Sequence, residues 1–114
     1  HRGVAHEFTV VSGHLAPDHP DSLLDWTALA RLRGTLVVLM GLKNLAAITE
    51  ALLARGRAPQ TPAAVVQEGT TGNQRVLRAT LATLADEVRQ AGLRPPAVVV
   101  IGDVVATLPV GSLA

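Results

Sequence analysis

Apolar residues along this chain gather in short unbroken runs separated by stretches of helical periodicity, and the runs stop at glycines. Leu36-Val37-Val38-Leu39-Met40 precedes Gly41, Ala63-Ala64-Val65-Val66 leads through Gln67-Glu68 to Gly69, and Ala97 to Ile101 closes at Gly102. Runs of this length without alternation predict strands buried in an α/β sheet, because a strand covered on both faces has no solvent side to mark with polar residues. Phe8 to Val11 is a fourth, shorter run ended by Ser12-Gly13, followed by a polar loop from His14 to Asp21 in which Pro17 and Pro20 bar a helix.

Between the runs the period changes. Asp25 is placed to cap a short helix carrying Trp26, Leu29 and Leu32, with Gly34 at its end. Leu45, Ile48 and Leu52 line one face of a helix over Asn44 to Arg55, and Gly56 stands where a left-handed C-terminal cap is favoured. Pro59 and Pro62 bracket a loop into the Ala63 strand, and Glu68 to Asn73 has the composition of a turn. From Gln74 onwards two readings compete: one long helix through Leu77, Leu81, Leu84 and Val88, or a strand over Gln74 to Thr80 with a helix beginning near Leu81. Gly92 ends that helix and Pro95-Pro96 stiffens the turn into the last strand. The alternation predicts a single layered α/β domain with a mixed, about five-stranded sheet flanked by helices.

Composition narrows the chemistry. At 114 residues and 48% hydrophobic the chain suits one domain with an ordinary core, and one Trp, one Phe and no Tyr make that core aliphatic. Ten basic against nine acidic residues leave a net charge of +1, which argues against phosphate-driven nucleic-acid binding. Absent cysteine excludes disulfides and thiolate chemistry. No apolar run approaches the roughly 20 residues of a membrane-spanning helix, so no membrane partner is expected and the cytoplasm is the default compartment. The chain begins with His1-Arg2-Gly3 rather than methionine, which suggests a piece of a longer protein. Common catalytic signatures are missing: no nucleophile elbow, no phosphate-binding loop and no dinucleotide fingerprint. His14, Asp18, His19 and Asp21 match no zinc-ligand spacing, and no metal is expected.

What remains is the glycine-ended strands. In open α/β sheets ligands settle at the carboxyl ends of strands, and a glycine there lets them approach the backbone. Met40-Gly41 and Glu68-Gly69-Thr70 are two such ends that could line one cleft.

The order and spacing of His1-Arg2, Val11-Ser12-Gly13-His14, Leu39-Met40-Gly41-Leu42 with Asn44, Glu68-Gly69-Thr70 with Gln74-Arg75, and Val98 to Val105 resemble the C-terminal half of the uroporphyrinogen-III C-methyltransferases, within the tetrapyrrole methylase family. The resemblance runs over nearly the whole chain and favours strand then helix after Gln74. It implies that residues 1–114 are the C-terminal domain, with the N-terminal domain and its glycine-rich loop and acid/base groups absent, so no catalytic residue is expected here. It implies that S-adenosylmethionine, the methyl donor, lies against Met40, Gly41, Ala64, Val65, Gly69 and Thr70, and that uroporphyrinogen III meets Met40 and Arg2. Arg2 matches a Thr-His-Arg segment, although the Thr is missing; a guanidinium there would pair with carboxylates of the tetrapyrrole. The implied reaction is C-methylation to precorrin-2 on the route to sirohaem and cobalamin, by a homodimer. His14 matches a Thr-Gly-His segment with Ser12 in place of Thr, and Arg75 is read as structural, pairing near the Glu68 turn. The competing expectations are another methyltransferase of the same family and a non-catalytic binding or dimerisation module.

Overall fold

A computed structural model describes residues 7–68 and 74–107 of the chain. Its elements are β1 (Phe8–Ser12), α1 (Trp26–Ala30), β2 (Thr35–Leu39), α2 (Leu45–Ala54), β3 (Pro62–Gln67), β4 (Arg75–Thr80), α3 (Leu84–Ala91) and β5 (Ala97–Ile101), followed by a 3₁₀ turn over Asp103–Thr107. The strands form one mixed sheet in the order β1-β2-β5-β3-β4. β1 and β2 are parallel, whereas β5 runs antiparallel to both β2 and β3, and β4 runs antiparallel to β3. The expected domain is therefore present, and the segment after Gln74 is a strand followed by a helix.

The registers sort the side chains onto two faces. Leu36 and Val38 of β2, Val99 and Ile101 of β5, and Ala63 and Val65 of β3 share one face, and all are fully buried. On that face they join Trp26 and Leu29 of α1, Leu45, Ile48 and Leu52 of α2, and Leu84 and Val88 of α3 in one core cluster. Each fully buried aliphatic side chain of this kind contributes about 1.5–3 kcal/mol relative to exposure. The opposite face differs from the expectation of strands covered on both sides. Val37, Val66, Val98 and Val100 are only partly buried there, and Phe8, Val10 and Leu39 are exposed. The described helices pack on one side, so the apolar runs of β2 and β5 reflect one closed face and one half-open face.

Helix ends follow local chemistry. Asp25 accepts a hydrogen bond from the Ala28 N–H at 3.0 Å, capping α1. At the end of α2, Gly56 N–H bonds Leu53 O and Arg57 N–H bonds Leu52 O, the paired pattern of a Schellman cap. α3 ends in the same way, with Gly92 N–H on Arg89 O and Leu93 N–H on Val88 O, and Gly92 is left-handed at φ 69°. Arg57 then clasps the edge where β2 and β3 begin: its Nη1 donates to Leu32 O at 2.8 Å and its Nε to Thr61 Oγ1 at 3.4 Å. Burial lowers the Arg57 pKa and the neighbouring Asp103 carboxylate pulls it back up. The guanidinium remains a cation at neutral pH.

The tightest packing lies at the other edge. A Cβ on Gly13 would stand 2.6 Å from Gly41 Cα, 2.8 Å from Val38 Cγ1 and 3.0 Å from Ile48 Cδ1. One on Gly41 would stand 2.7 Å from Val38 Cγ1. Two backbones thus cross in contact just past β1 and β2, where only glycine fits. Gly13→Ala should lose about 2–3 kcal/mol of stability by overpacking. Gly92→Ala, whose Cβ would meet nothing within 4 Å, should lose only about 1 kcal/mol, for its left-handed backbone. Chemical denaturation of the two variants checks this, and equal losses would show that the crossing relaxes.

Candidate functional site

Because β5 is antiparallel to both β2 and β3, the carboxyl ends of β1, β2 and β3 emerge at the same edge of the sheet, with the start of β5 between β2 and β3. Backbone and amide groups stitch this edge together. Gly13 N–H donates to Leu39 O at 2.7 Å, joining the ends of β1 and β2. The Asn44 side chain turns away from its own helix and donates from Nδ2 to Gly13 O at 2.8 Å and to His14 O at 3.1 Å, while the Asn44 N–H reaches Gly41 O at 3.2 Å. On the far side Glu68 N–H donates to Pro96 O at 3.0 Å and Arg94 N–H to Gln67 Oε1 at 2.6 Å, fixing the β5 start against the end of β3. Three strand ends and one strand start are held in a row.

A cavity of about 480 Å³ opens in this row, lined by Met40, Leu42, Lys43, Pro95, Pro96 and Ala97. Met40 forms one lip. β2 stops at Leu39, one residue short of the expected end, because Met40 turns into the left-handed region at φ 54°. A side chain with a Cβ seldom adopts that conformation, and such residues concentrate where function holds them. The turn leaves Met40 64% exposed at the cavity mouth. The cis-linked pair Pro95-Pro96 forms the opposite wall. Thioether, aliphatic and pyrrolidine surfaces suit the faces of a flat heterocycle.

The residues singled out in the sequence are distributed unevenly. Met40 lines the cavity, but Gly41 is buried and its bare Cα makes room for Gly13 and Val38. Ala64 and Val65 lie within β3 and are fully buried, Val65 in the helix-side core and Ala64 on the opposite face. Arg2, Gly69 and Thr70 lie outside the described residues. His14 is exposed and lines a separate shallow hollow with Ser12, Leu15 and Asp21, not the Met40 cavity. Arg75 is structural in a different way from that expected: its Nη2 donates to Ala91 O at 3.1 Å, tying β4 to the end of α3, and it is Gln74 that meets Glu68, at 3.2 Å. The cavity lining also includes Leu42, Lys43, Pro95, Pro96 and Ala97, which sequence reasoning did not select. Pro95-Pro96 was visible as a stiff turn, but only the antiparallel insertion of β5 brings it opposite Met40.

Comparison with known proteins bears on the same segments. The family model described as Tetrapyrrole (Corrin/Porphyrin) Methylases matches residues 2–85. The chain is 43% identical over 105 residues to the S-adenosyl-L-methionine-dependent uroporphyrinogen III methyltransferase of Methanosarcina barkeri, covering 92% of this chain and 41% of that protein. It is 48% identical over 105 residues to the siroheme synthase of Nitrosospira multiformis, of which it covers 22%. Among solved structures, the uroporphyrin-III C-methyl transferase of Thermus thermophilus complexed with S-adenyl homocysteine superimposes with a TM-score of 0.76 at 37% identity, over 95% of this chain and 47% of that one. The chain thus spans less than half the length of these relatives. With its fold and most of its length matched, the chain belongs to the tetrapyrrole methylases.

Proposed function

We propose that this chain is the C-terminal half of an S-adenosylmethionine-dependent methyltransferase that converts uroporphyrinogen III to precorrin-2. The observation that carries this reading is Met40, held left-handed and exposed at the lip of an apolar cavity where three strands end. In this reading Met40, Gly69 and Thr70 touch the cofactor, the buried Gly41, Ala64 and Val65 shape its site through packing, and Met40 and Arg2 bind the tetrapyrrole. The residues fit a nucleoside: Met40, Leu42 and the Pro95-Pro96 wall offer it apolar surface, and Gly41 secures the turn that presents Met40.

S-adenosylmethionine supplies a sulfonium methyl group, whose C–S bond breaks as a C–C bond forms at an electron-rich pyrrole carbon; that carbon becomes quaternary, and the cationic ring then loses a proton from a ring nitrogen or a bridging carbon. No covalent enzyme intermediate is needed, so the protein's contribution is alignment. In this chain the Gly13–Gly41 crossing and the Asn44 hydrogen bonds hold the β2 end in place, and Met40 limits where a ligand can sit. In this reading the groups that manage the proton are assigned to the N-terminal part of the parent protein. The parent protein is read as cytoplasmic and homodimeric, and the exposed Phe8, Val10 and Leu39 on the half-open sheet face are apolar surface that such an assembly would cover.

Calorimetric titration of S-adenosylhomocysteine into a two-domain protein carrying this chain as its second half tests the reading. Saturable binding is expected, and Gly69→Val should abolish it; a folded wild type that binds nothing overturns the assignment. Met40→Gly should separate structure from binding. It relieves the left-handed backbone and raises stability by about 1 kcal/mol, yet should weaken S-adenosylhomocysteine by removing the lip of the cavity. Residues 1–114 alone should give no turnover of uroporphyrinogen III, as read by product absorbance.

A further inference from the structure

Among the described residues that line the Met40 cavity, Met40, Leu42, Pro95, Pro96 and Ala97 are apolar, and Lys43 is the one charged side chain. The side chain is exposed at the rim. Among the described residues its ammonium forms no ion pair. A lysine with no partner usually points into solvent and does nothing. This one sits three residues beyond Met40, in the short segment between the end of β2 and the start of α2, whose backbone is pinned. Asn44 N–H bonds Gly41 O at 3.2 Å, Leu45 N–H bonds Leu42 O at 3.3 Å, and the Asn44 amide holds the neighbouring loop. The stem of Lys43 therefore springs from fixed backbone over a concave apolar surface. A cation above an apolar hollow is the complement of a ligand with a flat apolar body and a peripheral carboxylate.

We propose that Lys43 is the anion-recognising residue of this cavity, docking a carboxylate of a ligand whose apolar body lies against Met40, Leu42 and Pro95-Pro96. The inference rests on the methyltransferase reading, in which two ligands carry such a group: the amino-acid tail of the methyl donor and the acid side chains of the tetrapyrrole. Lysine, a compact ammonium on a flexible stem, suits a single carboxylate oxygen better than a bidentate clamp. Its role is specificity, since it selects acid-bearing ligands without taking part in bond making.

The test uses the two-domain protein with Lys43→Met, which keeps the stem and removes the charge, and Lys43→Arg, which restores the charge. An exposed side chain makes both variants safe to fold, and unchanged thermal melts confirm it. If the donor's tail is the partner, Lys43→Met weakens S-adenosylhomocysteine about tenfold, the loss of one charge-assisted hydrogen bond, while 5′-methylthioadenosine, which lacks the carboxylate, binds as before. If the tetrapyrrole is the partner, S-adenosylhomocysteine is unaffected and KM for uroporphyrinogen III rises about tenfold with kcat held. In either case Lys43→Arg recovers most of the loss, and the wild-type advantage shrinks as salt is raised. Changes under twofold in both measurements overturn the assignment of Lys43 and leave the methyltransferase reading standing. A wild type that binds no S-adenosylhomocysteine overturns both.

Discussion

The crossing of Gly13 over Gly41 sets the geometry on which the rest of the cleft depends. Two backbones meet where a single methyl group would stand 2.6 Å from the opposing Cα, so β1 and β2 end at one height and their following segments leave in fixed directions. Asn44 locks the arrangement by spending its amide on Gly13 O and His14 O rather than on capping α2. A helix without a side-chain N-cap forgoes about 1 kcal/mol, and the two Asn44 hydrogen bonds, one part-buried and one exposed, return an amount of that order. The exchange moves stability from the helix end to the strand ends. Met40 inherits the consequence: between a strand that must stop and a glycine that must pack, its backbone is driven to φ 54° and its side chain outward.

That chain of constraint explains what could be read in the sequence. The strands β2, β3 and β5 were legible because each is a run of Val, Leu, Ile and Ala bounded by Gly or Pro, and α2 because Leu45, Ile48 and Leu52 keep helical spacing. The segment at Arg75–Thr80 was not decidable locally, since Leu77, Leu81, Leu84 and Val88 serve a helix as well as a strand. Pairing of Val65 with Leu77 and Ala63 with Ala79 settles it, and that is a tertiary event outside any window of sequence. The same limit hid half of the cavity. Pro95-Pro96 and Met40 are far apart in the chain and become neighbours only because β5 enters antiparallel between β2 and β3.

Gly41 shows the other kind of gap between pattern and structure. A glycine after a strand reads as room left for a ligand, and the turn beside a cleft makes that reading attractive. The structure assigns the room to Gly13 and Val38 instead. Its contribution to a site is indirect: it permits the crossing that presents Met40. A residue can therefore belong to a binding motif by position and still act through packing, a distinction that spacing alone does not draw.

Methyl transfer by in-line displacement asks little of a protein in the way of acids, bases or nucleophiles, but it asks for two ligands held at a fixed separation and angle. The described cleft has that character. Its lining is held from two sides, Met40 by the glycine crossing beside it and Pro95 to Ala97 by the hydrogen bonds between the β5 start and the β3 end. Flexible loops would cost ordering entropy each time a ligand entered, whereas strand ends locked by neighbouring strands have already met that cost in folding. The methyl-transfer reading proposed for this chain agrees with that character, since it asks chiefly for positioning, and a mixed sheet whose strand ends are stitched at one edge is well suited to provide it.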